Sequence, residues 1–266
     1  MSYQILLTLL VCLNLSLTVT AKPILIFGDD SYPPYSYLED GVQKGIYTDI
    51  IHRVDEKLTS YEITIKAMPW KRALRKVKIG DISLFYPPYK RLKERPYMDY
   101  SVEILPETLS IFCRKELGLT RASRFPDDFK GLLIGENLGF SSGENIHKAR
   151  DGGLLMLSSA KGTRANLIKI LSKKLDCYIN DRLSILYELK ILQGLGQYDG
   201  VSLVETVKLS SEFGYLGVSQ YSDVYPHLAK FIELFNQQIK LMKKNGEISR
   251  IVDKYFENIR VEQKWR

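Results

Sequence analysis

The strongest constraint on the fold of this chain is a regular alternation of short apolar runs with helical stripes. Residues 24–27, 61–67 and 82–85 are short and rich in apolar or β-branched side chains, as buried strands are. Between them, apolar residues recur at helical spacing over 47–58 and 70–77. This alternation predicts an α/β fold with a largely parallel sheet and helices on both of its faces.

A second alternation begins near Glu107. Its expected strands cover 108–113, 132–135, 154–157 and 177–179, and its expected helices begin after Gly143 and cover 163–174 and 181–192. The remaining segment carries only helical stripes, over 228–242 and 248–255. Two α/β blocks followed by a helical tail predict one lobe, an inserted lobe and a return to the first. The predicted boundaries are 22–106 for the first part of lobe one, 107–219 for lobe two and 220–266 for the C-terminal part of lobe one.

Residues 1–21 have the features of an export signal. They carry no charged side chain and are mostly apolar over 5–19, but the run is short and is interrupted by Asn14, Ser16 and Thr18, so it suits a bilayer span poorly. It ends in Val19, Thr20 and Ala21, which predicts a signal peptide over 1–21 and a soluble, exported mature chain. Because the leader lacks Lys and Arg, a retained membrane anchor stays open as an alternative.

The charge of the chain is moderately basic. It has 38 Lys and Arg against 31 Asp and Glu, a formal charge of +7. The basic residues are scattered over several helical stripes, and no basic run is interleaved with aromatic residues as single-strand binding needs. We therefore expect a solvated basic surface and no nucleic-acid partner. A length of 266 residues suits two lobes better than one compact domain.

The chain has three cysteines, of which Cys12 lies in the predicted leader. The other two, Cys113 and Cys177, lie in the apolar runs LSIFC and LDCYI. Two cysteines in a chain of this length do not make a disulfide scaffold, so we expect both to act as small buried apolar residues. A bond between them stays open, since export permits one.

Polar residues that follow the predicted strands define the expected site. In open α/β sheets, ligands bind outside the carboxyl ends of the strands, which here are 27–31, 85–89, 135–142 and 179–181. The three histidines lack metal-ligand spacing, and there is no nucleophile or phosphate motif, so we expect no metal, no cofactor and no catalysis.

Four segments carry a family resemblance. They are ILIFGDDSYPPYSYLEDG at 24–41, the stretch from PWKRAL to PYMDYS at 69–101, LDCYINDRLSI at 175–185 and NGEISRIVDKY at 245–255. In this order and spacing they resemble the polar-amino-acid branch of the bacterial extracellular solute-binding proteins, family 3. The resemblance covers nearly the whole mature chain. It implies a type II periplasmic binding protein fold, in which two α/β lobes are joined by a two-strand hinge.

The same resemblance implies a function. Proteins of this kind capture a small polar solute, such as an amino acid or a related zwitterion, between their lobes and deliver it to an inner-membrane ABC transporter. We therefore expect a periplasmic, monomeric binding protein that is not an enzyme. Two alternatives stay open. One is a ligand-sensing subunit for a separate membrane receptor, and the other is a cleft enzyme such as a cyclic-acid dehydratase, which could recruit Asp29, Asp30 or Glu136.

The resemblance also implies particular ligand contacts. Asp181 matches the acidic residue that holds the ligand's α-ammonium group, although an aspartate that opens a helix also serves as its N-cap. Tyr32 matches an aromatic residue that stacks on the ligand side chain. Ser141 or Ser142 matches the glycine-and-hydroxyl loop at a helix N-terminus, where amides suit a carboxylate.

Further candidates come from strand ends and helix starts. Trp70 suits either the core or the rim of the cleft, and at least one residue of 86–89 is expected on the cleft wall. The complete set of candidate ligand contacts is Asp29, Tyr32, Trp70, Tyr86, Arg95, Ser141, Ser142 and Asp181.

The carboxylate clamp is where the chain departs from the family pattern. Counting back from the Tyr-Ser pair at 100–101 puts the clamping arginine's position at Glu94. Matching the Glu-Arg pair instead gives Arg95, and Arg91 is a third candidate. We favour Arg95, because a guanidinium fork suits bidentate carboxylate binding. Leu92 replaces the usual hydroxyl residue, which puts α-amino-acid recognition of the usual kind in question.

Overall fold

The structure is a computed structural model that describes residues 21–140 and 142–256. Ser141 and all of the predicted leader except Ala21 therefore lie outside the described residues. The described strands are β1 (Lys22–Asp29), β2 (Ser31–Tyr32), β3 (Ser36–Glu39), β4 (Val42–Lys44), β5 (Tyr61–Met68), β6 (Leu84–Tyr86), β7 (Met98–Tyr100), β8 (Leu105–Arg114), β9 (Leu133–Asn137), β10 (Met156–Ala160), β11 (Cys177–Asp181), β12 (Leu203–Gly214) and β13 (Gly217–Ser219). The described α-helices are α1 (Ile46–Asp55), α2 (Trp70–Lys78), α3 (Glu144–Asp151), α4 (Thr163–Leu171), α5 (Arg182–Gly194), α6 (Leu228–Lys244) and α7 (Glu247–Phe256).

Five strands form the first sheet in the order β5-β1-β6-β13-β7. β1 runs parallel to β5, in a register from Lys22↔Tyr61 to Asp29↔Met68, and it is also parallel to β6. β13 lies antiparallel between β6 and β7, so the sheet is mixed, whereas the sequence predicts a largely parallel one. The difference arises because β7 and β13 are three residues each, too short to show an apolar pattern.

We call the first sheet with the helices packed on it the first half of the molecule, and the inserted part of the chain with its own sheet the second half. The core of the first half joins β1 to helices from both ends of the chain. Ile24 and Ile26 are buried and point to one face of β1, since side chains alternate along a strand. The helical residues that share this core are Ile46, Ile50, Ile51 and Val54 of α1, Phe231, Phe235, Ile239 and Met242 of α6, and Ile248 and Ile251 of α7. The C-terminal helices therefore pack with α1, which is far away in sequence.

The second sheet contains the other five long strands, in the order β10-β9-β11-β8-β12. β9 runs parallel to β10 and β11, while β8 runs antiparallel to β11 and β12. The apolar runs predicted at 108–113 and 177–179 lie within β8 and β11, and the run at 132–135 overlaps β9 from Leu133. Every strand of this sheet lies between residues 105 and 214, so the second sheet is an insertion into the first.

Two strands, β8 and β12, carry the chain between the sheets, and we call them the crossing strands. The chain leaves β7 of the first sheet into β8 and returns from β12 into β13. They pair from Leu105↔Gly214 to Arg114↔Leu203, with register shifts near Glu205 and Lys208. β12 escapes sequence-based detection because its apolar and polar residues do not alternate regularly, which leaves only a weak period-two signal.

Cys113 and Cys177 form a disulfide bond, so the expectation that they are separate buried apolar residues is wrong. The two residues are direct partners in the antiparallel pairing of β8 with β11. Directly opposite residues bring their Cβ atoms close together, and this pairing is a tertiary fact that 64 residues of separation conceal in the sequence. The bond fastens a crossing strand to the centre of the second sheet.

None of the helices in the described ranges combines the length and the apolar character that a bilayer crossing requires.

Loss of the disulfide should destabilise the protein without changing its fold. A double variant, Cys113→Ser with Cys177→Ser, should lose about 2–4 kcal/mol of unfolding free energy, because the bond closes a long loop in the unfolded chain. Urea denaturation followed by circular dichroism measures this loss. A reducing agent should lower the midpoint of the parent protein and leave that of the double variant unchanged. Equal midpoints for the oxidised and reduced parent protein would contradict the prediction.

Candidate ligand-binding cleft

A cavity of about 40 Å³ lies where the first sheet meets the second. Its lining from the first half is Asp29, Tyr32, Trp70, Pro87, Tyr89 and Arg95, and its lining from the second half is Leu109, Asn137, Phe140, Ser142, Ile179 and Asn180. Most of these residues belong to the carboxyl ends of β1, β6, β9 and β11 or to the loops that follow them. This is the edge of an α/β sheet where ligands bind, and we call the cavity the cleft.

Aromatic rings from both halves meet across the cleft. The Phe140 ring meets the Tyr32 ring edge-on at a centroid distance of 5.1 Å and lies 6.0 Å from the Trp70 ring. The Arg95 guanidinium lies 5.5 Å from the centroid of the Trp70 ring, in a cation–π arrangement. The cleft therefore combines flat apolar walls with a fixed positive charge.

Arg95 is the arginine that the structure brings to the cleft. Its side chain donates a hydrogen bond to the Tyr89 carbonyl at 3.2 Å, and burial lowers the pKa of its guanidinium group. No ion pair to a carboxylate forms at Arg95 among the residues that the structure describes. Arg91, by contrast, pairs with Glu212 at 3.0 Å, and Glu94 is exposed outside the cleft lining.

Asp29 places a carboxyl group at the end of β1, where it is 1% exposed. Its Oδ1 accepts a hydrogen bond from the Ser31 amide at 3.2 Å, while its Oδ2 has no partner in the described part of the chain. Burial raises the pKa of Asp29 to about 7. Buried polar atoms are normally hydrogen-bonded, so an open carboxyl oxygen beside a cavity is a candidate contact for a ligand.

Two further lining residues have buried polar atoms that lack a partner among the described residues. These atoms are Nε1 of Trp70 and Nδ2 of Asn137, and both are hydrogen-bond donors. The Asn137 carbonyl oxygen is already occupied, because it accepts from Asn166 at 3.1 Å and from the Tyr178 hydroxyl at 2.8 Å. The assignment of the Asn137 oxygen and nitrogen rests on this hydrogen-bond pattern. The cleft thus offers donors and a cation for an anionic group, and one carboxyl for a cationic group.

Asp181 is buried at the end of β11 and acts as the N-cap of α5. Its Oδ1 accepts from the Ser184 amide at 2.9 Å, and its Oδ2 accepts from the Thr108 amide at 3.0 Å. Burial raises the pKa of Asp181 to about 6. Asp181 does not line the cleft, whereas Ile179 and Asn180 before it do. The capping role left open by the sequence is present, and the predicted contact with an ammonium group remains a prediction.

The other candidates divide between core and cleft. The Tyr86 side chain lies in the core of the first half, where its hydroxyl is 2.8 Å from the Thr48 hydroxyl. It occupies the space beside Gly28, where an added Cβ would lie 2.6 Å from the Tyr86 ring. Tyr86 does not line the cleft, although its neighbours at 87 and 89 do. Ser142 lines the cleft and donates to the Glu136 carboxylate at 2.6 Å.

Sequence reasoning missed several lining residues. Asn137 is the last residue of β9 and Asn180 is the last but one of β11, so their position after apolar runs was an available signal. Phe140 lies in the glycine-and-hydroxyl loop and lines the cleft, but the family pattern for this loop concerns only its glycine and hydroxyl residues. Glu107 is not among the ligand contacts predicted from the sequence, because nothing in its local sequence indicates which side chains reach it.

Glu107 lies directly behind the cleft wall and is 1% exposed. Its carboxyl accepts hydrogen bonds from the hydroxyls of Tyr32 at 2.6 Å, Tyr47 at 2.5 Å and Tyr89 at 2.7 Å. Burial, and next the neighbouring carboxyl of Asp181, raise the pKa of Glu107 to about 8, although the three hydroxyls act in the opposite direction. The junction between the two halves therefore contains three carboxyls with raised pKa values.

A larger cavity, of about 830 Å³, lies elsewhere along the crossing strands. Thr108 lines this cavity and Leu109 lines the cleft, as expected for neighbouring residues on opposite faces of a strand. None of the candidate contacts named from the sequence lines the larger cavity. Across the described ranges, no group of three or more His, Cys, Asp or Glu residues could hold a metal ion.

Two α/β units joined by two crossing strands, with a partly polar cleft between them, define the class of solute-binding proteins. The family model described as bacterial extracellular solute-binding proteins, family 3, matches residues 24–258, and this chain belongs to that family. The predicted family and fold class, a type II periplasmic binding protein fold, are thereby confirmed. Among curated proteins, no sequence matches the chain.

Solved structures with the same fold include proteins that bind amino acids. A substrate-binding protein of an ABC uptake transporter from Streptococcus pneumoniae, with bound histidine, is 20% identical with a TM-score of 0.69, covering 89% of this chain and 93% of that one. An ancestral arginine-binding protein bound to arginine is 18% identical with a TM-score of 0.70, covering 88% and 98%. A histidine kinase sensor domain similar to periplasmic binding proteins is 16% identical with a TM-score of 0.70, covering 88% and 96%. At these identities the likeness establishes the fold alone.

The three buried carboxyls should make the protein less stable as the pH rises. Asp29, Glu107 and Asp181 have pKa values of about 7, 8 and 6, against ordinary values of 3.8, 4.5 and 3.8. The folded chain therefore binds protons more tightly than the unfolded chain, and this stabilisation is complete below pH 4 and is lost as the pH rises to 8.

Thermal unfolding at pH 5.0 and at pH 8.5, in a buffer without added solutes, measures this dependence, and the melting temperature should be higher at pH 5.0. Replacing Asp29 by Asn removes one of the three groups, so the difference between the two melting temperatures should shrink. An Asp29→Asn variant whose two melting temperatures differ by as much as those of the parent protein would show that Asp29 is not held protonated in the folded state.

Proposed function

We propose that this chain is an exported solute-binding protein that captures a small zwitterionic solute of the amino-acid type in the cleft and delivers it to an inner-membrane ABC transporter. The observation that carries the proposal is the presence of Arg95 and Asp29 in one cleft. Both are buried, both line the same cleft, and neither forms an ion pair within the described residues. Buried charges are normally paired, so this pair of opposite groups suits a ligand that brings a charge to each.

Arg95 is proposed as the carboxylate clamp. Its guanidinium fork matches the two oxygens of a carboxylate, and the free N–H groups of Trp70 and Asn137 supply further donors in the same cleft. Asp29 is proposed as the partner of a ligand ammonium or side-chain cation. A bound cation would lower the pKa of Asp29 and so favour its charged form. Tyr32, Trp70 and Phe140 form the walls for the remainder of the solute.

Binding requires movement of the two halves. The cleft has a volume of about 40 Å³, which is only slightly more than the volume that one molecule occupies in liquid water, about 30 Å³. An amino acid needs more room than this. We propose that the halves are lobes, with boundaries near 106 and 219, that open and close about the crossing strands. A solute shifts that equilibrium only through the extra contacts it makes in the closed form.

A sensing role is the second candidate. The likeness to a histidine kinase sensor domain favours it, since a closed, solute-bound lobe pair is a signal that a separate membrane receptor could recognise. Deletion of the gene separates the two roles. Loss of uptake of the radiolabelled solute supports transport, while unchanged uptake with a lost transcriptional response to that solute supports sensing. The family is one of binding proteins, and we propose no turnover of the solute.

A thermal-shift screen of the mature chain against L-amino acids, small amines and small carboxylates tests the proposed function. A solute present at 100 times its Kd should stabilise the protein by about 2.7 kcal/mol, which moves the melting temperature by several degrees. We expect at least one zwitterion to produce this shift and its separate amine and carboxylate analogues to produce less. A screen in which no zwitterion shifts the melting temperature would remove the proposal.

Substitutions at the charged residues then test the assignments. Arg95→Gln and Asp29→Asn should each weaken the binding of the zwitterion by roughly 10–100-fold, because each removes a charge-assisted hydrogen bond. Arg91→Gln is the matched control, since Arg91 pairs with Glu212 outside the cleft lining, and its affinity should stay near the parent value.

Asp181→Ala decides between the two aspartates as the partner of the ammonium group. If Asp29 holds that group, Asp181→Ala should lower stability through the lost N-cap and change affinity less than Asp29→Asn does. Isothermal titration calorimetry measures all of these affinities. An Arg95→Gln variant that binds as tightly as Arg91→Gln would refute the clamp assignment.

A further inference from the structure

The geometry points to Glu107 as a positioning residue for the cleft, an inference that rests on the proposed function. We infer that its carboxyl holds the aromatic wall formed by Tyr32 and Tyr89 against the crossing strand β8. Glu107 itself does not line the cleft, so it acts through the two tyrosines and not by contact with the solute.

The three tyrosines that reach Glu107 come from three separate elements of the first half. Tyr32 belongs to β2, Tyr47 to α1, and Tyr89 to the loop after β6. Tyr32 and Tyr89 line the cleft, and their hydroxyls lie 3.2 Å apart, so both rings are tied to each other as well as to the carboxyl. Tyr47 is fully buried in the core and anchors the cluster from behind.

The backbone around Glu107 leaves room for this cluster. At Gly214, on the other crossing strand, an added Cβ would lie 1.8 Å from the Tyr47 hydroxyl oxygen and 2.7 Å from Oε1 of Glu107. Gly214 also forms an isolated backbone bridge with Tyr89. A glycine at this point is therefore required for the close approach of the Tyr47–Glu107 pair to β12.

The role is not explained by an ordinary ion pair. In the described part of the chain, no Lys, Arg or His pairs with Glu107, and its partners are the three phenolic hydroxyls. A carboxyl that is buried without a cationic partner carries a desolvation cost, which its hydrogen bonds have to offset. A carboxyl at this position is thus a poor device for stability alone, and it is a good one for fixing the orientation of three hydroxyls.

The next two residues connect the cluster to the second half. The Thr108 amide donates to Asp181, the N-cap of α5, and Leu109 lines the cleft. Three consecutive residues of β8 therefore contact the tyrosine wall, the second-half helix and the cleft itself. A rotation of the halves about β8 would move the tyrosine wall together with the strand, because Glu107 connects them.

The test compares Glu107→Leu with Glu107→Gln in a Trp265→Phe background. The chain has two tryptophans, so this background leaves Trp70, in the cleft lining, as the single tryptophan, and the emission is excited selectively from tryptophan. Quenching of Trp70 by acrylamide reports the accessibility of the cleft without any ligand. Glu107→Leu should raise the quenching constant, and Glu107→Gln, whose carboxamide still accepts and donates hydrogen bonds, should restore the parent value.

Affinity for L-histidine and L-arginine, measured by calorimetry, is the second readout. For whichever probe binds the parent protein, Glu107→Leu should weaken binding by about tenfold or more, and Glu107→Gln by less. Thr206→Val is the matched control, because it removes a buried hydroxyl from the other crossing strand, where Thr206 donates to the Ile111 carbonyl away from the cleft. It should alter the melting temperature without altering either readout.

The outcomes separate the two proposals. If neither amino acid binds the parent protein, the proposed function loses support, and Trp70 quenching still decides the role of Glu107. A folded Glu107→Leu variant with the parent quenching constant would overturn the inference. If L-histidine or L-arginine binds the parent protein, an equal affinity of Glu107→Leu for that amino acid would overturn it as well. If Glu107→Leu does not fold, the decision passes to Tyr32→Phe and Tyr89→Phe, each of which removes one hydrogen bond to Glu107 and should raise the quenching constant. The parent quenching constant in both variants would overturn the inference.

Discussion

The pairing of the two crossing strands is the interaction on which the rest of the structure depends. β8 and β12 hydrogen-bond from Leu105↔Gly214 to Arg114↔Leu203. They connect the inserted second sheet to the first sheet, whose strands come from before and after the insertion in the sequence. Only one side of this ladder continues into the second sheet, through β11. The Cys113–Cys177 disulfide reinforces that side, and the cleft lies where the crossing strands leave the first half.

Burial at this junction determines the chemistry of the cleft. Asp29, Glu107 and Arg95 are all nearly inaccessible to solvent. Burial raises the pKa of the two carboxyls and lowers the pKa of the guanidinium group, and each shift favours the neutral form. The three groups are managed differently: phenolic hydroxyls surround Glu107, while Asp29 and Arg95 keep unfilled hydrogen-bonding capacity at the cavity. The first arrangement suits the support of a wall, and the second suits the reception of a charged solute.

The elements that sequence reasoning found are those whose burial is periodic. β1, β5 and the helices α1 and α6 each present an apolar face to one core, and that face is visible as a spacing of 2 or 3.6 residues. β12 was missed because its apolar and polar residues do not alternate regularly. In the cleft, strand-end position located Asp29 and the family pattern located Arg95, but strand-end position could not separate Tyr86 in the core from Tyr89 on the wall, three residues later.

The sequence by itself determined the α/β class, the order of two blocks and a helical tail, and the family, because these depend on local spacing and on motifs in a given order. Only the tertiary structure decided the disulfide, the convergence of Arg95 and Asp29 on one cavity, and the contact of Glu107 with three tyrosines. Each of these brings together side chains from different elements. The disulfide spans 64 positions, and the contacts of Glu107 with Tyr32, Tyr47 and Tyr89 span 75, 60 and 18 positions. Such contacts follow from the pairing of whole strands, and no local pattern records them.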